Sequence, residues 1–270
     1  MTLSPRASKV ALRVAALGYL ALLLAAPVVL VGYRTFEHGV GPAWDAVTTP
    51  EAAHAFWMTV LMVAVSVPIN TVFGIACAIV LVRHRFRGKT LMNAVIDLPF
   101  AVSPVVVGLA LILVYGQGGW FGGWLAEHGI QVIFSTPGMI LATIFVSLPF
   151  VVREVVPVLR EIGTEQEQAA ETLGATGLQT FWRVTLPAIR WGVGYGVVLA
   201  TARALGEFGA VSVVSGKLQG QTETLTLFVE QRFHQFDLTG AYAASVVLAL
   251  LAIGTLLTMN LFGRKRGHEA

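Results

Sequence analysis

Residues 14–33 form an unbroken uncharged run, closed by Arg13 on one side and Arg34 on the other. About 20 consecutive apolar residues are what a helix needs to cross the hydrocarbon layer of a bilayer. Five further runs follow, at about 56–82, 94–115, 137–156, 191–214 and 241–262. The third holds Asp97 near its start and Pro99 and Pro104 inside. The fourth contains Pro149, the fifth contains Arg203 and Glu207, and the sixth carries no charge. Lipid leaves backbone polar groups no external partner, so spanning segments fold as helices or closed barrels. Runs near 20 residues, not near 10, select helices. Composition agrees: 56% of residues are hydrophobic and 12% charged, about half the charged fraction of a soluble domain. The expected fold is all-α, a polytopic membrane protein of about six transmembrane helices.

Arg6, Lys9 and Arg13 precede the first run, a pattern shared with signal peptides. The run is long for a signal segment and no clear cleavage site follows, so an uncleaved first helix is expected. The remaining basic residues are distributed unevenly. Arg83, Arg85, Arg87 and Lys89 follow the second run; Arg153 at the end of the fourth, with Arg160, Arg183 and Arg190 after it, belongs to the next loop; Arg264, Lys265 and Arg266 follow the sixth. The alternate loops hold only Arg34, Lys217 and Arg232. The positive-inside rule then puts both termini, and the segment between the fourth and fifth runs, in the cytoplasm. An even number of spans is consistent with that. On the other side, residues 116–123 read as a flexible turn suited to the membrane interface. Residues 215–240 are longer and polar, with room for a short helix at Phe228, Phe233 and Phe236.

The segment 164–187 is out of character with its neighbours. Thr164-Glu165-Gln166-Glu167 has the form of a capping box, and so has Thr176-Gly177-Leu178-Gln179. Ala169, Ala170 and Leu173 share one side of a short first helix, and Gly174 to Gly177 breaks it. Leu178, Phe181, Trp182 and Thr185 follow at helical spacing, and Leu186-Pro187 is expected to close the second helix, since proline cannot continue the ladder. Periodicity leaves three roles open: a helix pair on the bilayer surface, a loop packed on its own protein, or a knob for a partner's groove.

The same segment resembles the cytoplasmic signature of binding-protein-dependent ABC importer permeases, whose pattern is Glu-Ala-Ala, three residues, Gly, nine residues, Ile, one residue, Leu-Pro. Here Gln168, Ala169, Ala170, Gly174, Val184, Leu186 and Pro187 occupy those positions at the required spacing. Gln168 stands for the usual Glu and Val184 for Ile; the first replacement removes a charge and with it any salt bridge made from that position. Residues 203–210, RALGEFGA, look like the fifth-helix motif of sulfate and molybdate permeases, and residues 98–106, LPFAVSPVV, resemble the corresponding sulfate permease helix. Residues 211–216 and 221–225 look most like the W-type sulfate permease subunit. The similarity runs from about residue 10 to about 262.

The resemblance implies a type I importer permease fold of the MetI-like kind, with a single permease domain over 1–270, its core at about 56–262 and coupling helices at 164–187. It implies an inner-membrane subunit that translocates sulfate or thiosulfate by alternating access. It also implies a second permease of the T-type, a cytoplasmic ATPase dimer that uses ATP-Mg, and a periplasmic sulfate- or thiosulfate-binding protein. No catalytic role, cofactor or nucleic acid is expected for the chain itself. A molybdate or tungstate permease is the alternative within the family. A secondary transporter would need its own coupling-ion site and usually internal repeats, and neither is visible. An intramembrane enzyme would need a nucleophile–base or metal constellation, which the single Cys77 and the scattered histidines do not supply.

Arg203 and Glu207 are four apart, so they share a helix face. Counted from Arg190, Arg203 lies roughly 20 Å into the fifth run. Ionisable groups at such depth cost at least about 2.5–3.5 kcal/mol each, so the two are expected to pair and face a protein or aqueous interior. Two roles stay open, a structural lock or a positive potential along an anion's path. Ser103, beside Pro104, either satisfies a carbonyl freed by the proline or meets a passing oxyanion. Gly192 and Gly196 form a small-xxx-small pair for close helix packing, within the chain or against a second permease. Gly88-Lys89-Thr90 lacks the upstream glycine of a phosphate-binding loop, since Arg83 stands there. His38, His54, His84, His128, His234 and His268 show no paired spacing and are expected to be solvated loop residues, and Asp97 to be interfacial.

Overall fold

The computed structural model describes residues 5–266, and no strand occurs among them. The N-terminal rod comprises α1 (Pro5–Leu20) and α2 (Ala26–Phe36), joined by a π-helical turn at Ala21–Ala25. A short α3 (Val40–Val47) leads to the longest early helix, α4 (Pro50–Arg83). Thr49 caps α4 by accepting from Ala52 N at 3.2 Å, with Pro50 at the first turn where a missing N–H costs nothing. Next come α5 (Lys89–Ala101), α6 (Pro104–Tyr115), α7 (Gly122–Glu127) and α8 (Thr136–Glu161). Segment 164–187 supplies α9 (Glu165–Thr172) and α10 (Gly177–Thr180), and a second π-turn at Phe181–Thr185 opens into α11 (Leu186–Leu205). The chain ends with α12 (Gly209–Val214), α13 (Leu225–His234) and α14 (Leu238–Arg266).

Among the described residues, five helices are long and apolar enough to span a membrane, and six spans result when α5 and α6 count together. That third span is not the single rod expected over 94–115: it begins at Lys89 and bends by 114° between Ala101 and Pro104. Proline clashes with a helical residue before it, and Val102 and Ser103 are accordingly extended, with ψ of 135° and 134°. The fifth span also departs from 191–214. It starts at Gly177 and stops at Leu205, and the chain breaks before α12.

Pro187 does not close a helix, contrary to the sequence expectation. The π-turn ahead of it uses a bond from Leu186 N–H to Phe181 O, five residues back. This wider turn opens the ladder where the pyrrolidine ring would meet the carbonyl four residues earlier. The first rod repeats the device: Ala26 N–H bonds Ala21 O immediately before Pro27.

The core is built around α8. Val151, Val152, Val155 and Leu159 are fully buried among Ala78 and Leu81 of α4 and Ile189 and Ala200 of α11. Backbones approach closely there. A Cβ on Gly196 would stand 2.8 Å from Val151 Cα, and one on Gly192 would stand 2.9 Å from Val158 Cγ2. The glycine pair therefore packs inside the chain, on α8. Asn70 of α4 donates to Ile144 O at 3.0 Å and to Ser147 Oγ at 2.8 Å, stitching α4 to the turn that Pro149 interrupts. The apolar window of the first span has no buried residue in the single chain.

The 116–123 turn is tighter than the flexible loop expected, since a Cβ on Gly122 would collide with the carbonyls of Gly116 and Gln117. His54 lies within α4, not in a loop, with Nε2 3.2 Å from Gln221 O, and His234 ends α13; His268 lies outside the described residues.

Candidate functional site

Two regions gather the candidate residues. The first is the end of α8 through the start of α11. α9 ends in a Schellman arrangement: Gly174 N–H bonds Glu171 O at 2.9 Å and Ala175 N–H bonds Ala170 O at 3.0 Å. Gly174 sits at φ +83°, the left-handed region that glycine enters without cost, and open space surrounds the position of a Cβ. The second capping box forms as expected: Thr176 Oγ1 accepts from Gln179 N–H at 3.4 Å, and Gln179 Oε1 from Thr176 N–H at 3.0 Å. The first does not form. Thr164 makes no cap bond, and Glu167 turns away to other partners.

Those partners were missed in sequence. Arg83, the last residue of α4, places Nε 2.8 Å from Glu167 Oε2 as a charge contact, and Nη2 bonds Oε1 at 3.2 Å. Thr185 Oγ1 donates to the same Oε1 at 2.8 Å. The available signal was weak: Arg83 read as a topology residue and Glu167 as half of a capping box.

An open concavity of about 790 Å³ lies beside this cluster, lined by Ala169, Ala170, Leu173, Arg183, Val184 and Pro187 among others. Four signature residues thus converge on one groove. Gln168 points elsewhere, its Nε2 3.3 Å from Thr164 Oγ1, and Leu186 packs on the core. The residues spaced along the two helices divide between core and surface. Thr180 and Thr185 are buried, whereas Leu173, Leu178 and Trp182 are exposed, Leu173 at 88%.

The second region lies where two helices are interrupted. Arg203 is in the last turn of α11, where a cation suits the helix dipole. Glu207 is in the break after it, not inside a helix, and is only 3% exposed. The expected pair forms, Arg203 Nη1 lying 2.7 Å from Glu207 Oε2. Glu207 Oε1 also accepts from Ala210 N–H at 2.9 Å, so the carboxylate anchors the first turn of α12. Ser103 is exposed at the α5–α6 break, with no side-chain bond to the helix end. The two breaks adjoin: a Cβ on Gly209 would stand 2.9 Å from Pro104 Cβ. Asp97 is not merely interfacial, because Arg153 Nε donates to its Oδ1 at 2.7 Å and ties α5 to α8.

A helical bundle with a short helix pair of this signature and interrupted spans matches one family model over residues 70–267, described as the binding-protein-dependent transport system inner membrane component. The chain belongs to this family. The permease is 54% identical over 254 residues to the "Sulfate transport system permease protein CysW" of Synechocystis, covering 94% of this chain and 92% of that one. It is 47% identical to the protein of that name from Escherichia coli K12, over 89% of this chain and 83% of the relative. The T-type counterpart of the same bacterium, "Sulfate transport system permease protein CysT", is 40% identical over 92% of this chain and 91% of its own. Among solved structures, a chain of a bacterial alginate ABC transporter in complex with an alginate pentasaccharide-bound periplasmic protein superposes with a TM-score of 0.78 at 17% identity, covering 94% and 93% of the two chains. That likeness shows the fold: an all-helical bundle with interrupted spans.

Proposed function

We propose that this permease is the W-type membrane subunit of an ATP-driven importer that carries sulfate or thiosulfate into the cytoplasm. The observation that carries this is the 54% identity, sustained over 94% of the chain, to a protein named as a sulfate permease subunit. Both termini and the α9–α10 segment face the cytoplasm, as the distribution of basic residues favours. An ATPase dimer binds ATP-Mg and docks on the groove of Ala169, Ala170, Val184 and Pro187; this chain contributes no catalytic group. A T-type permease completes the pore, and a periplasmic binding protein delivers the anion. Closure of the ATPases moves the docked helices, and the permeases alternate between inward and outward openings.

Arg203 supplies positive potential beside the path, since a dianion favours guanidinium donors, and Glu207 tempers it so that the anion is released. Ser103 offers a hydroxyl at the adjoining break. The test is radiolabelled sulfate uptake in a strain deleted for this chain and complemented with it. Uptake should return on complementation and be competed by thiosulfate but not by molybdate. Equal competition by molybdate would reassign the substrate to another oxyanion, and uptake without a copurifying ATPase would support a secondary transporter.

A further inference from the structure

α9 is eight residues long and has no buried residue. Isolated helices of that length do not hold themselves in water, and hydrophobic burial does not fix this one. A polar cluster does. Arg83 and Glu167 side chains are only 12% and 16% exposed. The Arg83 guanidinium touches three elements at once. Nη1 donates to Leu159 O at 3.1 Å, in the last turn of α8. Nη2 donates to Gly163 O at 2.6 Å, in the linker that follows, and also to Glu167. Glu167 in turn accepts from Thr185, in the π-turn that opens the fifth span. Each charge suits its place: the cation lies at the C-terminal ends of α4 and α8, and the anion lies in the first turn of α9.

We propose that the Arg83–Glu167–Thr185 cluster is the latch through which α9 moves the membrane core, with Glu167 as its positioning residue. The inference rests on the coupling role given above to α9. The latch meets α4, α8 and the start of the fifth span at one point, and those same three helices supply all but one residue of the buried cluster around α8. A displacement of α9 imposed by a partner therefore reaches all three together. Without the latch, α9 keeps only its packing on α10 and the π-turn and the chain on either side.

The test uses the full complex in proteoliposomes, with Glu167→Ala, Glu167→Asp and Arg83→Gln. Glu167→Ala and Arg83→Gln should each lower anion imported per ATP hydrolysed by about 10-fold while the ATPase still copurifies; Glu167→Asp, which keeps the charge, should recover part of it. Amide exchange supplies a readout independent of transport. Residues 168–174 should exchange about 10-fold faster in Glu167→Ala, with α4 and α8 unchanged. Unaltered exchange in α9, or an unaltered import-to-ATP ratio, would overturn the latch. Exchange that speeds up throughout α4 and α8 would also overturn it, making the cluster a general fold element. A wild-type complex that imports no sulfate would instead strike the assigned function, leaving the exchange result to decide the latch.

Discussion

At the scale of single residues, charge and backbone conformation decide what each position tolerates. Arg203→Gln leaves Glu207 buried with its Ala210 bond but without its cation. We expect sulfate uptake to fall by at least about 10-fold while the ATPase remains bound, as measured by uptake and copurification; breaking such a pair strands a buried charge. Glu223, buried in the loop before α13, is a second such group. Burial raises its pKa to about 6 from the ordinary 4.5 of a glutamate, against the opposing pull of Arg232 and His54. The folded state then binds the proton more tightly than the unfolded one. The stability this gives is full below about pH 4.5 and is lost as pH rises through about 6. Glu223→Gln should raise the thermal midpoint at pH 7.5, by on the order of 1 kcal/mol in stability, and leave it unchanged at pH 4.5. Gly174 was legible in sequence as a helix breaker, but the reason is its left-handed φ, not crowding. Replacement by Ala should cost about 1 kcal/mol locally through strain, read as faster amide exchange in residues 168–175. Glu167 was visible only as half of a local motif. Its real partners are 84 residues upstream at Arg83 and 18 residues downstream at Thr185, distances at which no sequence periodicity operates.

Elements are governed by proline and glycine. Three apparent rules of proline gave three outcomes. Pro104 breaks and bends the third span, Pro187 continues the fifth behind a π-turn, and Pro149 stays inside α8. The local sequence around each does not separate them, because the outcome depends on whether a neighbour or a wider turn takes up the disturbed backbone groups. In the turn before Pro149, α4 contributes Asn70, which bonds the Ile144 carbonyl. The Gly192–Gly196 pair was legible as a packing face, and α8 proved to be what it faces. Gly196→Leu would drive a side chain into the backbone at Val151. We expect a loss of about 1–3 kcal/mol from overpacking, measured as a lowered unfolding midpoint in detergent, whereas Gly194→Leu, which meets nothing within 4 Å, should be neutral.

For the whole molecule, the exposed apolar residues of the α9–α10 region separate folding from assembly. Leu173 is 88% exposed beside the signature groove. Leu173→Asp should leave the unfolding midpoint within about 0.5 kcal/mol of the parent but cut ATPase copurification by about 10-fold; retained ATPase would argue that it docks elsewhere. The sequence by itself determined the class: long uncharged runs can satisfy their backbones in lipid only as helices, and the spaced signature from Gln168 to Pro187 placed the chain in its family. The tertiary structure alone decided where spans bend, which helix receives the glycines, and what holds α9. Those outcomes turn on contacts between helices far apart in the chain, where a carbonyl or carboxylate takes the nearest buried donor whatever its sequence distance.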